Sequence, residues 1–308
     1  MVACPLSGQP STRVVQVIPV KSLTRYWRFI GGARVAELYR GIDRLELREG
    51  AEGLLFYHPL VAGDAAFYRA MYRRLATSRW IQAYRRECEL AAALVPPGAR
   101  VLDVGAGFGA FGRWLSHARY TGIDLTYEAA DADPRAGGLD IRRQSLEDHA
   151  AERPVPYDVV SAFHVVEHVT DPRGFVAGLA SLTRPGGQVI IGLPRYPSPM
   201  TEIPAFPVNM PPHHLTFWTA PALERLARET GLVPERIEEV GHGRAEDIIF
   251  WIRRFSWTRC GEDMARLDRH AIASLVVAGL AGQAVARWRR WRPGPGDATN
   301  LLMVARKP

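Results

Sequence analysis

At 308 residues, 47% of them hydrophobic, the chain is long enough to bury one large core or a core with additions, and its composition is that of a globular protein, not a disordered or fibrous one. A formal net charge of +7 is compatible with anionic partners without demanding them. Its three cysteines, Cys4, Cys88 and Cys260, stand far apart with no C-x-x-C pair, which supports neither a disulfide framework nor a zinc ribbon and fits a reducing, cytoplasmic setting.

No charged-then-apolar leader pattern is present at the start, where Pro5, Gly8 and Pro10 interrupt any apolar run. Residues 1–63 read as an α+β appendage: Val14 to Val20 patterns as a strand, and Leu23 to Tyr39 carries apolar residues at loosely helical spacing. Asp64 is placed to cap a helix from Ala65 to about Ala76, and a second helix runs from about Ser78 to Val95, stopped by Pro96-Pro97-Gly98. On that second helix Trp80, Tyr84 and Cys88 fall four apart and form an apolar stripe.

The stretch Ala99 to Leu115 organises the rest of the chain. Val101, Leu102 and Val104 make a buried strand, Gly105, Gly107 and Gly109 make a turn that can approach a ligand closely, and a helix is expected after them. Gly107 to Gly112 also matches G-x-G-x-x-G, the dinucleotide fingerprint. Asp103 argues against a pyrophosphate there, because a carboxylate just before the glycines repels it and suits an ammonium or a sulfonium instead. A second strand, Tyr120 to Ile123, ends in Asp124, about 20 residues further on, where a carboxylate accepts from ribose hydroxyls. Further strands read at Leu139 to Arg142, Tyr157 to Phe163, Gln188 to Leu193 and Asn300 to Pro308, with helices at Phe175 to Leu182 and Pro221 to Thr230. Alternating strands and helices imply a parallel sheet covered on both faces, with a ligand at the strands' C-terminal ends.

Two stretches stand apart from that alternation. Residues 194–219 form a proline-rich loop ending in Pro211-Pro212-His213-His214-Leu215-Thr216-Phe217-Trp218, which is expected to meet substrate through His213, His214 and Trp218. Residues 243–292 are a helical insertion, whose apolar run 271–286 leads into Arg287-Trp288-Arg289-Arg290-Trp291-Arg292. That pairing leaves three readings open: a core helix, a homodimer contact, or peripheral contact with an anionic membrane surface through 271–292.

Asp103-x-Gly105-x-Gly107-x-Gly109 resembles motif I of the class I S-adenosylmethionine-dependent methyltransferases, and His164-Val165-Val166-Glu167-His168-Val169 resembles that family's segment after its fourth strand. The resemblance, which extends to small-molecule and ubiquinone-type O-methyltransferases, implies a Rossmann-like, doubly wound α/β sheet of seven strands, mostly parallel with the last antiparallel, over residues 64–308. It implies S-adenosyl-L-methionine as cofactor, held by Asp103, Gly105, Gly107, Gly109, Asp124 and Leu125, with Ser145 and Leu146 about the adenine, Phe163 and His164 flanking the methionine moiety, and Trp80 and Tyr84 lidding the pocket. The segments V-I-P-V-K-S-L and G-I-D-R-L-E-L-R-E-G are also similar to the N-terminal region of a group of bacterial methyltransferase-domain proteins, in which a cysteine is expected where Gly50 and Ala51 stand here.

The expected reaction is methyl transfer to a small-molecule or lipid-like acceptor at a hydroxyl oxygen, with His213 as base and His168 as the second candidate. Glu167 and His168 are adjacent and point about 100° apart on a helix, so one of the two is expected to be structural. No metal is expected, since His213 and His214 lack a further ligand at suitable spacing. Nucleic acid is not the expected partner. Still open are a tRNA, rRNA or protein methyltransferase, an NAD-dependent oxidoreductase, and an inactive scaffold of the same fold.

Overall fold

The computed structural model describes residues 2–74, 86–127, 138–241, 244–288 and 297–308. In chain order its first elements are β1 (Arg13–Pro19), α1 (Val20–Ile30), β2 (Arg44–Glu49), β3 (Leu55–His58), α2 (Ala65–Arg74), α3 (Arg86–Ala92), β4 (Arg100–Val104), β5 (Arg119–Ile123) and β6 (Asp140–Arg142). There follow α4 (Leu146–Ala151), β7 (Tyr157–Phe163), α5 (Pro172–Leu182), β8 (Thr183–Pro194), β9 (Thr216–Phe217), α6 (Ala220–Glu229), β10 (Val233–Val240), α7 (Arg244–Phe255), α8 (Arg269–Ala286) and β11 (Asn300–Arg306). Two compact units divide the chain, each built from separated stretches: residues 1–83, 195–219 and 241–299 form one, and residues 84–194, 220–240 and 300–308 the other.

The second unit is a seven-stranded sheet in the order β10-β11-β8-β7-β4-β5-β6. Strands β4 to β8 pair in parallel, and β11 runs antiparallel to both of its neighbours, pairing Asn300 with Pro194 and Arg306 with Gln188. The interior strands are continuous apolar runs, as strands buried on both faces must be: Val101, Leu102, Val159, Val160, Ile190, Ile191 and Leu301 to Met303 are all buried. Helix α5 starts at Pro172 behind Asp171, whose carboxylate accepts from Gly174 N at 2.9 Å, and it buries Val176, Leu179 and Leu182.

One expected element is missing. After the glycine turn there is no α-helix, only a single 3-10 turn at Gly112–Trp114. Gly107 and Gly109 sit at φ +54° and +78°, outside helical backbone, and few residues remain before β5 begins. The edge strand β10 is the other departure: it is built from Arg236, Glu238 and Glu239 among apolar residues, a pattern that gave no strand signal.

The first unit holds a four-stranded antiparallel sheet, β1-β2-β3-β9. Asp64 caps α2 as expected, accepting from Phe67 N at 2.7 Å. Residues 195–219 are the interior of this unit, with Met200, Ile203, Phe206, Met210 and Trp218 buried. Their carbonyls are bonded from the N-terminal residues: Tyr26 Oη donates to Ala205 O and Trp27 Nε1 to Pro211 O, each at 2.7 Å. The expected cysteine position at Gly50 is taken up differently here, because Cys4 Sγ packs directly over that glycine.

Candidate active site

The site residues of the second unit lie at the C-terminal ends of β4, β5 and β7. Asp103 is opposite Gly122 in β5 and Ser161 in β7, so its carboxylate stands between two neighbouring strands. Ser161 Oγ donates to Oδ1 and Tyr120 Oη to Oδ2, both at 2.9 Å. The carboxylate is buried, and burial together with the Asp103 charge raises the Tyr120 phenol well above its ordinary value, keeping it a donor. Asp103 therefore clasps three central strands.

The turn itself is fixed by glycine at two places for different reasons. Gly105 has φ +74°, and a Cβ there would overlap Val165 Cγ2. Gly107 has φ +54°, and a Cβ there would meet no atom within 4 Å, so only its backbone demands glycine. Asp124, just past β5, closes over this turn: its Oδ2 accepts from Gly107 N at 2.9 Å, while Oδ1 accepts from Thr126 N and Thr126 Oγ1 at 2.7 Å. Its neighbour Leu125 is exposed.

Ser145 and Leu146, expected about an adenine, have local structural work. Ser145 is the N-cap of α4, its hydroxyl accepting from Asp148 N at 3.0 Å, and Leu146 is buried against Gly178 of α5. Phe163 is likewise a core residue, its ring 4.8 Å from that of Phe111 and packed over Gly192, its partner in the β7–β8 register.

Beyond Phe163 the chain makes a strained step. His164 adopts φ +57°, a left-handed conformation uncommon for a side chain of its size, and its imidazole is held by two buried carboxylates. Nε2 lies 2.7 Å from Glu87 Oε1, and Nδ1 lies 3.5 Å from Glu167 Oε1. His168 Nε2 is 3.7 Å from the same Glu167 oxygen. Burial pushes the Glu167 carboxyl up, but the charges of His168 and His164 outweigh it and hold the group below its ordinary 4.5, so it is ionised. Of the adjacent Glu167 and His168, the glutamate is the buried, structural one. A carboxylate thus faces each ring nitrogen of His164.

Glu87 is the residue that sequence reasoning passed over. It lies on α3, one position before Cys88 and on the margin of the apolar stripe, and an acid on the buried side of a helix was the available signal. Trp80 and Tyr84 of the expected lid lie outside the described residues.

His213, His214 and Trp218 belong to the first unit, and all three are buried there. His213 Nδ1 donates to Val208 O at 3.1 Å, so in the neutral ring the lone pair is on Nε2. Its ring centroid is 4.7 Å from that of His214 and 5.9 Å from that of Tyr68. Trp218 donates its indole N–H to Thr216 Oγ1 at 2.8 Å and has no exposed surface, which makes it a core anchor in this structure.

A five-stranded parallel core extended by an antiparallel hairpin-like edge, with an acid-glycine turn at its C-terminal rim, defines the class I methyltransferase type of Rossmann-like fold. The chain belongs to the methyltransferase domain family, whose pattern matches residues 72–236. Over 109 residues it is 38% identical to the ubiquinone biosynthesis O-methyltransferase of Xanthomonas campestris pathovar campestris, a stretch covering 33% of this chain and 46% of that protein. Over 102 residues it is 40% identical to the protein of the same description from Xylella fastidiosa, covering 30% of this chain and 41% of that one. The chain thus spans about half the length, or less, of the curated relatives it matches. Among solved structures, magnesium protoporphyrin IX methyltransferase from Synechocystis PCC 6803 with bound SAH is similar at a TM-score of 0.49 and 13% identity, over 80% of this chain and 100% of that one.

Proposed function

We propose that the chain transfers the methyl group of S-adenosyl-L-methionine to a hydroxyl oxygen of a small-molecule or lipid-like acceptor. The observation that carries the reading is the Asp124 carboxylate drawn over the Gly107 amide at the ends of β4 and β5. A carboxylate in that place accepts from the two hydroxyls of a ribose. A dinucleotide is the poorer fit, because its pyrophosphate needs a helix N-terminus after the glycines and this turn carries only three residues of 3-10 helix. The relatives described as O-methyltransferases support oxygen as the methylated atom.

The cofactor supplies a methyl carbon already activated by its sulfonium. The chain's own part is to align donor and acceptor and to exclude water. Gly105, Gly107, Gly109, Asp124 and Leu125 hold the cofactor, and Asp103 fixes the strands that carry them. As the C–O bond forms and the C–S bond breaks, the acceptor's hydroxyl proton must leave, and a neutral imidazole takes it. His213 is the first candidate, since its Val208 bond puts the lone pair of the neutral ring on Nε2, and His168 is the second.

Calorimetric titration with S-adenosylhomocysteine, with NAD in parallel and an Asp124→Ala variant, tests the reading. Micromolar binding of S-adenosylhomocysteine that is lost in a folded Asp124→Ala protein is the expected result. Binding of NAD in its place, or no binding to the intact chain, overturns it.

A further inference from the structure

Helix α8 is apolar on both sides, and the fold uses one of them. Ala271, Ser274, Leu275, Ala278, Gly282 and Ala286 are buried. Gly282 packs so closely on α7 that a Cβ there would lie 2.8 Å from Ile252 N, and Ser274 Oγ shares a 2.8 Å hydrogen bond with Ser256 Oγ. The opposite side runs Ala273, Val277, Leu280, Ala284 and Trp288 at steps of four, three, four and four residues, and every one of these is exposed. Leu280 is 70% and Trp288 89% accessible. A helix that serves only the core of its own unit has no reason to keep this second stripe apolar.

Charge decides what covers it. From Arg269 to Arg292 the sequence contains no Asp or Glu and carries Arg269, Arg287, Arg289, Arg290 and Arg292, with tryptophans at 288 and 291. A second copy packed in parallel about a two-fold axis would bring the two Arg287 ends together, on a chain of net charge +7. An anionic bilayer satisfies both halves of the pattern: lipid phosphates pair Arg269 and Arg287, Trp288 sits at headgroup level, and the aliphatic stripe enters the acyl boundary. The helix is long and apolar enough, by length and composition, to cross a membrane, but its Ser274 and Gly282 side is fastened to α7, which fits a helix lying on the surface. The stripe also falls outside residues 72–236, the part matched by the methyltransferase family.

We infer that the exposed face of α8, from Ala273 to Trp288, docks the protein on an anionic lipid surface, independently of what it methylates. The test is co-sedimentation of the full chain with vesicles of phosphatidylcholine containing phosphatidylglycerol, against pure phosphatidylcholine, at low and high salt. The parent is expected to sediment with the anionic vesicles only, and less at high salt. The double variant Val277→Asp, Leu280→Asp, altered at exposed positions and expected to keep the parent's circular dichroism and melting, should lose binding at least about tenfold. Three results overturn the inference: no association with anionic vesicles; association unaffected by the double variant, which leaves adsorption by charge alone; or a dimer in light scattering that the double variant dissociates without any vesicle binding, which assigns the face to a second copy.

Discussion

Replacing Glu87 with alanine is expected to destabilise the methyltransferase unit by about 2–4 kcal/mol. Removing one member of a buried charge pair costs about 3–5 kcal/mol, because the other is left without compensation in a poorly solvated place. Here the His164 side chain keeps about a fifth of its surface in solvent and retains Glu167 at 3.5 Å, and both features lower the figure. Glu87→Gln keeps an acceptor at the 2.7 Å contact and removes only the charge, so its cost is about 1 kcal/mol. His164→Asn is the companion variant, since asparagine tolerates the φ of +57° and deletes the imidazole. Thermal melting reads these effects directly, with about 1.5 °C per kcal/mol expected for a chain of 308 residues. In a double-mutant cycle, Glu87→Ala and His164→Asn should couple by about 1 kcal/mol or more. A Glu87→Ala protein within about 0.5 kcal/mol of the parent, or strict additivity of the two changes, refutes the pair as a fastening of α3 to the end of β7.

Two further results are expected. Gly107→Ala, which meets only the backbone cost of its positive φ, should lose about 1 kcal/mol of stability, whereas Gly105→Ala adds an overlap with Val165 and should lose clearly more; equal urea midpoints for the two would contradict the packing described. His149 is buried between Gln144 Oε1 at 3.0 Å and Tyr157 Oη at 2.9 Å, and burial lowers its pKa from the ordinary 6.5. The unfolded chain therefore binds the proton more readily, so this contribution is complete above about pH 6.5 and is lost as pH falls below it. Urea unfolding across that window should show the loss in the parent and a flatter profile in His149→Gln, and identical profiles would exclude the linkage.

Whether a feature could be read before the fold was known depends on where each residue's partners lie. Val101 to Val104 and Tyr157 to Phe163 were legible as strands because an interior parallel strand needs nothing but its own apolar run. β11 was legible as a strand from its own apolar run, but its antiparallel direction only through the family resemblance. The helix expected after Gly109 failed because glycines at positive φ prolong a turn, and sequence spacing does not distinguish a turn followed by a helix from a longer turn. Ser145, which the resemblance places about the adenine, is also the N-cap of α4, since a serine three residues before Asp148 at the head of a helix is a good cap. The burial of residues 195–219 was beyond sequence, because their backbone partners come from far along the chain, as Trp27 does for Pro211. Glu87 was hidden for a similar reason: its partner His164 lies 77 residues away in sequence.

The place of β11 has a consequence for how the protein is made. It lies between β8 and β10, yet residues 241–299, all belonging to the other unit, are translated after β10 and before it. At the usual pace of about 5–20 residues per second, a ribosome takes about 3–12 seconds over that interval. During it, the Val189-Ile190-Ile191 edge of β8 has no strand to bond, and an unpaired apolar edge invites other chains. The charged residues of β10, Arg236, Glu238 and Glu239, then act as a guard on the second waiting edge, discouraging pairing with a neighbouring nascent chain until β11 arrives.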